Sequence, residues 1–260
     1  FLKIFADNTV KDSLFEFKGG ITDVLFLEDD QLLVTGSFAH ANGSCSYGAI
    51  KIDTEGEIDP NFRPEIARIT NINKATVQPD RKILVEGSFN KVNDQLVNSL
   101  VRLNEDGSVD NSFQPEVKIN CDSFYRYLPQ PDGKILVAVG SRFNPSSKTR
   151  NFRLLADGQL DSTFRDSLTP SVADLPFNRA LILNNGHILL PNQLLVLDEN
   201  GKLIQELGSV LSESSTYTAK EQRDGKILLG GHTLRLENNK RVPLVRLNSD
   251  FSIDNNFSTF

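Results

Sequence analysis

A segment of about 50 residues recurs along this chain, each copy closing on Asp-x-x-Phe or a remnant of it, and this restricts the fold more than any other feature. The copy from Pro79 to Phe113 reads PDRKILVEGSFNKVNDQLVNSLVRLNEDGSVDNSF. That from Pro131 to Phe164 reads PDGKILVAVGSRFNPSSKTRNFRLLADGQLDSTF, and Arg223–Phe257 follows the same pattern. Glu28–Phe62 is a looser copy. Asn184–Leu207 is a worn one, without the Gly-Ser-Phe and Arg-Leu-Asn strings. The end markers Phe15, Phe62, Phe113, Phe164, Leu207 and Phe257 stand 47, 51, 51, 43 and 50 residues apart. Five repeats follow, 16–62, 63–113, 114–164, 165–207 and 208–257, and residues 1–15 match the second half of a further one.

Each repeat predicts four strands. A mixed run such as 21–28 leads through a tight turn, Asp132-Gly133 or Asp224-Gly225, into the short β-rich string Lys-Ile-Leu-Val. A longer polar loop precedes a third strand such as 98–104, and a second turn, Glu105-Asp106-Gly107, opens the fourth. Asp-Gly between apolar runs favours a hairpin, because Gly accepts positive φ and Asp bonds the turn backbone. No stretch holds a 3.6-residue apolar period with caps, so helices should be nearly absent. Four-stranded units at this period suit an all-β propeller, one domain over 1–260 with about six blade positions. A sandwich would not require the same unit five times. The recurrent Phe is expected to wedge between neighbouring blades.

The strings Lys82–Phe89 with Val101–Phe113, Asp132–Val137 with Arg153–Phe164, and Asp224–Leu229 with Val245–Phe257 resemble the delta-60 repeat, a bacterial β-propeller repeat of unassigned function. The resemblance spans essentially the whole chain and implies a propeller in an extracellular, cell-surface or periplasmic protein. It implies no catalytic residues.

Composition removes several function classes. With 28 Lys+Arg against 34 Asp+Glu the net charge is −6, which lacks the basic footprint of a nucleic-acid binder. No apolar run reaches the roughly 18–20 residues of a membrane span. Cys45 and Cys121 form neither a disulfide framework nor a zinc site and read as free, partly buried thiols. The opening FLKIFADNTV is not a signal peptide, and the absence of Met points to a processed product or a fragment. No nucleophile elbow, zinc-protease motif, dinucleotide loop or P-loop occurs, and His40, His187 and His232 are scattered. The Asn104–Gly107 turn lacks the ligand spacing of a calcium loop. No cofactor and no metal are expected.

Repetition also separates scaffold from site. Lys3, Lys51, Arg102, Arg153 and Arg246 share one third-strand position. Asp59, Asp110, Asp161 and Asp254 follow seven or eight residues later, so a hairpin should return an Arg–Asp pair in each repeat. These serve the blade. The first strand of a propeller blade lines the central channel, and there the aligned level holds Asp23, Lys74, Arg126, Arg179 and Thr218. The level before it holds Thr22, Asn73, Tyr125, Asn178 and Tyr217. Three adjacent cations near a channel mouth would attract an anionic small molecule, glycan or protein group, with Asp23, Tyr125, Asn178 and Tyr217 as neighbours. The alternative spends each cation on a local acid such as Glu65, Glu116 or Asp166. The expected role is a non-enzymatic binding or scaffold module. The alternatives are a carbohydrate-active enzyme using Asp23 with Asp122, or a purely structural surface repeat.

Overall fold

Antiparallel meanders of short strands make up almost all the regular structure of the computed structural model. It describes residues 3–4, 10–11, 17–27, 30–41, 43–45, 47–66, 72–97, 99–116, 123–141, 150–167, 172, 175, 177–208, 211–212, 216–236 and 240–257. Repeat one pairs Phe17–Phe26 with Leu32–Ala41, which pairs in turn with Ala49–Ile52. Repeat two orders Ile72–Val77, Ile83–Gly87 and Leu100–Leu103 in the same way, and repeat three Ser123–Pro129, Ile135–Ser141 and Arg150–Leu154. Repeat five follows with Thr216–Glu221, Ile227–Leu236 and Arg241–Leu247.

The fourth strand is shorter than the sequence suggests. In repeats one, two, three and five it is a single bridge: Ile52 to Ile58, Leu103 to Val109, Leu154 to Leu160 and Leu247 to Ile253. Among the described residues, repeat four extends this last element to a strand, Leu203–Glu206. Ile4 faces Val10 with the spacing of these bridges, so Lys3–Ile4 and Val10–Lys11 pair like the second half of a repeat. Helix is confined to Ser162–Ser167 and a 3₁₀ turn at Phe177–Arg179 among the described residues long enough to name. The short helix starts where Asp161 accepts the Thr163 N–H at 3.1 Å, an N-cap.

The hairpin turns explain the Asp-Gly signal. The residue closing the second turn has φ near +85° in Gly56, Gly107, Gly158 and Gly201, and its N–H bonds back three residues in every copy. Repeat five places Phe251 there at φ +67°, and the first turn of repeat two places Arg81 at φ +65°, where repeats three, four and five have Gly. Those two side chains hold a conformation that L-residues avoid.

The chain divides into two compact halves, Phe1–Ile119 and Asn120–Phe260. In the first, one apolar cluster joins Leu33, Ala49 and Phe62 of repeat one to Ala75, Val85, Val101 and Leu103 of repeat two. In the second, Phe164 links Leu136 of repeat three to Ile188 and Leu197 of repeat four, and Leu207 does the same between repeats four and five. Within each half, Phe62, Phe164 and Leu207 therefore fill the space between consecutive repeats. A single meander exposes one apolar face, and the next repeat covers it.

Candidate functional site

The Arg and Asp set aside as scaffold meet as the hairpin requires. The Asp N–H donates to the carbonyl of its basic partner in each repeat: Asp59 to Lys51, Asp110 to Arg102, Asp161 to Arg153 and Asp254 to Arg246, at 2.8–2.9 Å. Asp110 Oδ2 accepts Arg102 Nε at 2.6 Å, and Arg153 and Arg246 reach Asp161 and Asp254 at 2.7 and 2.8 Å. Oδ1 has a separate task. It accepts the N–H two residues on, from Asn61, Ser112, Thr163 and Asn256, which fixes the turn before the Phe. The guanidinium then lies over that Phe, 4.6–4.7 Å from the ring centre in repeats two, three and five.

Two partners in this lock escape sequence reasoning. Lys82 and Lys226, the Lys before Ile-Leu, donate to Asp110 and Asp254 Oδ2 at 2.8 Å each. Their recurrence beside the first turn was the available signal. Second, the basic residue also reaches forward: Lys51 Nζ donates to the Glu105 carbonyl at 2.7 Å, and Arg153 Nη1 to the Glu199 carbonyl at 2.6 Å.

Burial alone would raise the Asp110 carboxyl, but hydrogen bonds from Lys82, Ser112 and Arg102 outweigh it and hold it below the ordinary range. Asp161 is lowered likewise, with Thr163 and Arg153 overcoming its burial. Asp254 falls to about 2, chiefly through the Lys226 hydrogen bond, against burial and with help from the Asn256 N–H and Arg246. A carboxyl whose folded pKa lies below its unfolded value contributes stability above the unfolded value, near 4, and loses it as pH falls through the folded one. Thermal midpoints should therefore stay level from about pH 7 to 5 and drop between about pH 4 and 2. A flat profile through that window would mean the locks contribute no linked stability.

The first-strand row is partly assembled. Asp23, Lys74, Arg126 and Thr218 occupy equivalent ladder positions, facing Thr35, Glu86, Ala138 and Gly230. In repeats one, two and five the ladder slips at this level, between Ile21 and Asp23, Ile72 and Lys74, and Thr216 and Thr218. Thr22, Asn73 and Tyr217 are thus bulge residues, a device that re-aims side chains. Tyr125 keeps regular register opposite Val139. The first strands of repeats one and two lie side by side, which brings the strands of Asp23 and Lys74 together within the first half.

Arg179 corrects the expectation. It and Asn178 belong to the 3₁₀ turn Phe177–Arg179, and the first strand of repeat four starts only at Leu181. Phe177 is fully buried and its carbonyl accepts the Ala180 N–H at 3.0 Å, so core packing curls the chain where the other repeats extend. Lys74 stands directly across from Glu86, an acid that sequence inspection overlooked. Arg126 faces Ala138. Its Nε is buried without a hydrogen-bond partner, and no ion pair engages it among the described residues. The side chains of Tyr125, Asn178 and Tyr217 lie outside the described ones, as do Asp122 and Cys121 altogether. Cys45 is free but exposed rather than partly buried, with Sγ 3.9 Å from His40 Nδ1. Among the described residues no three His, Cys, Asp or Glu gather as a metal group, and no helix is long and apolar enough to cross a membrane.

A chain of repeated antiparallel meanders, locked by Arg, Asp and Phe in repeats two, three and five and wedged one against the next within each half, defines an all-β repeat protein. The family model of the DUF5122 β-propeller, a domain of unknown function, matches residues 27–62, 78–113, 130–164 and 222–257, and the chain belongs to that family. Repeat four is not among the matched segments, in keeping with its worn sequence. No curated protein matches. Among solved structures, the extracellular domain of the putative one-component system BT4673 from B. thetaiotaomicron aligns at 9% identity and a TM-score of 0.25, over 92% of this chain. The chain spans 55% of the length of that structure's chain.

Proposed function

We propose that this chain is a non-enzymatic ligand-binding propeller of an exported protein, its repeats filling about six blade positions of one ring. In this reading an anionic ligand, a carboxylated or phosphorylated group on a small molecule, glycan or protein, binds first-strand cations, with Arg126 as the principal contact. The observation supporting it is the contrast between Arg126 and the repeat arginines. Arg102, Arg153 and Arg246 are each spent on an Asp and a Phe ring, whereas Arg126 has a buried Nε with no partner among the described residues. A buried guanidinium donor is costly to leave unpaired, and a planar anion satisfies it bidentately. Export rests on the resemblance to the delta-60 repeat.

Calorimetric titration with polygalacturonate oligomers, a heparin hexasaccharide and a poly-glutamate peptide tests this. At least one should bind, and Arg126→Ala should weaken it by about tenfold or more. The triple change of Lys74, Arg126 and Arg179 to Ala should abolish it. Unchanged affinity in the triple variant, or no binding of any probe, would remove the reading.

A further inference from the structure

The first half holds a cleft of about 340 Å³ between repeats one and two, bordered by Phe26, Leu27, Lys51, Gln78, Arg81 and Glu105. Three of these positions break the repeat. Leu27 stands where repeats two, three and five carry Gln78, Gln130 and Gln222. Lys51 stands where Arg102, Arg153 and Arg246 do, and Arg81 replaces the Gly of the first turn. All three departures converge on one concave surface, and Arg81 holds its place there at φ +65°.

Repeats three and four show what the usual residues do at the corresponding place. Gln130 Nε2 and Arg153 Nη1 both donate to the Glu199 carbonyl, at 3.0 and 2.6 Å, and Arg153 Nη2 reaches Asn200 Oδ1 at 3.1 Å. The carbonyl has two donors. Between repeats one and two the matching carbonyl, Glu105, receives the Lys51 ammonium alone among the described residues, and Leu27 offers it no donor. A lysine also lacks the forked head that fills the space around Arg153. On the same cleft, Gln78 is 4% exposed and its Oε1 is buried with no hydrogen-bond partner among the described residues. Gln130 and Gln222 share the unpartnered oxygen, so what singles out Gln78 is its position on the cleft.

A ligand here meets an acceptor without a partner among the described residues in Gln78 Oε1 and a Glu105 carbonyl with a single donor, and its own acceptors lie beside Lys51 and Arg81, which are already partnered within the protein. It also meets an apolar face in Phe26, which is 87% exposed at the edge of the cleft. A bare anion supplies no donors, and a hydrocarbon supplies neither donors nor acceptors. At the rim Arg81 pairs with Glu105 at 2.7 Å, which cancels much of the local charge. Sugar hydroxyls donate and accept at once, and the C–H face of a pyranose lies flat on a phenyl ring. We propose that this cleft binds a neutral pyranose unit of a glycan. The proposal stands apart from the Arg126 site, since it uses none of the same residues.

Saturation-transfer NMR and calorimetry on the full chain test it with maltohexaose, cellohexaose, xylohexaose and mannohexaose, and with acetylated trialanine as the peptide rival. At least one neutral oligosaccharide should bind. Lys51→Arg, which restores the residue that fills this place in repeat three, should weaken it about tenfold or more while leaving the melting temperature at or above that of the parent. Phe26→Ala, at an exposed position that leaves folding intact, should do likewise, and Lys202→Ala should change nothing. Binding of none of the four sugars, binding of the peptide alone, or sugar binding that survives both cleft variants would overturn the proposal. The acidic probes report on Arg126, so the two readings fail separately.

Discussion

Replacing Arg153 by Ala should destabilise the protein by about 3–5 kcal/mol, read as a lower urea midpoint at unchanged slope. Arg153 is 1% exposed and makes four kinds of contact at once: Asp161 Oδ2, the Glu199 carbonyl, Asn200 Oδ1 and the face of Phe164. Removing it leaves the 6%-exposed Asp161 carboxylate without its counter-ion, and an uncompensated buried charge accounts for most of the loss. The double variant Arg153→Met with Asp161→Leu separates the causes. If the orphaned charge dominates, the double variant recovers much of the stability, because an apolar pair of similar volume replaces a desolvated ion pair at little net cost. A loss under about 1 kcal/mol in Arg153→Ala would place the pair in the class of exposed salt bridges and contradict its burial.

The second large effect belongs to Phe62→Ala, again about 3–5 kcal/mol. Phe62 is 2% exposed and touches the core of repeat two as well as its own, so truncation opens a cavity that neither repeat alone can collapse. It also removes the ring beneath Lys51, whose Nζ lies 5.0 Å from its centre. The same substitution at Phe257, the equivalent but only half-buried position, should cost about 1–2 kcal/mol. Equal losses at the two sites would mean that the aromatic acts through its own repeat's turn and not through the neighbour it fills against.

Much of this was legible because repetition is redundant. Four Arg or Lys and four Asp at one spacing could meet only through a hairpin, and each copy repeats the same N–H to carbonyl bond. The Phe wedge was readable for the same reason. Where a repeat deviates, redundancy no longer helps. Arg179 aligned with Lys74 and Arg126 by counting back from the turn, but the count cannot register that burial of Phe177 curls the chain at that level. The ladder slips before Asp23, Lys74 and Thr218 leave no composition signal, since a bulge depends on which hydrogen bonds a strand forgoes. Lys82 and Lys226 were visible as letters but not as partners, because the Asp each pairs with lies 28 residues on. The cleft was the least accessible. It arises from residues of two repeats whose side chains are ordinary in isolation and unusual only beside their counterparts.

The forward reach of the basic residue gives assembly a direction. Lys51 finds its carbonyl 54 residues downstream and Arg153 finds its own 46 residues downstream. During synthesis at roughly 5–20 residues per second, a repeat leaving the ribosome waits roughly 3–10 s for the turn that completes it. Until then its cation and the ring beneath it lack their cover from the next repeat. Growth from the N-terminus thus adds repeat two as the lid of repeat one and repeat four as the lid of repeat three, and a nascent chain stalled within the later repeat of either pair should present the preceding basic residue to proteases or chaperones.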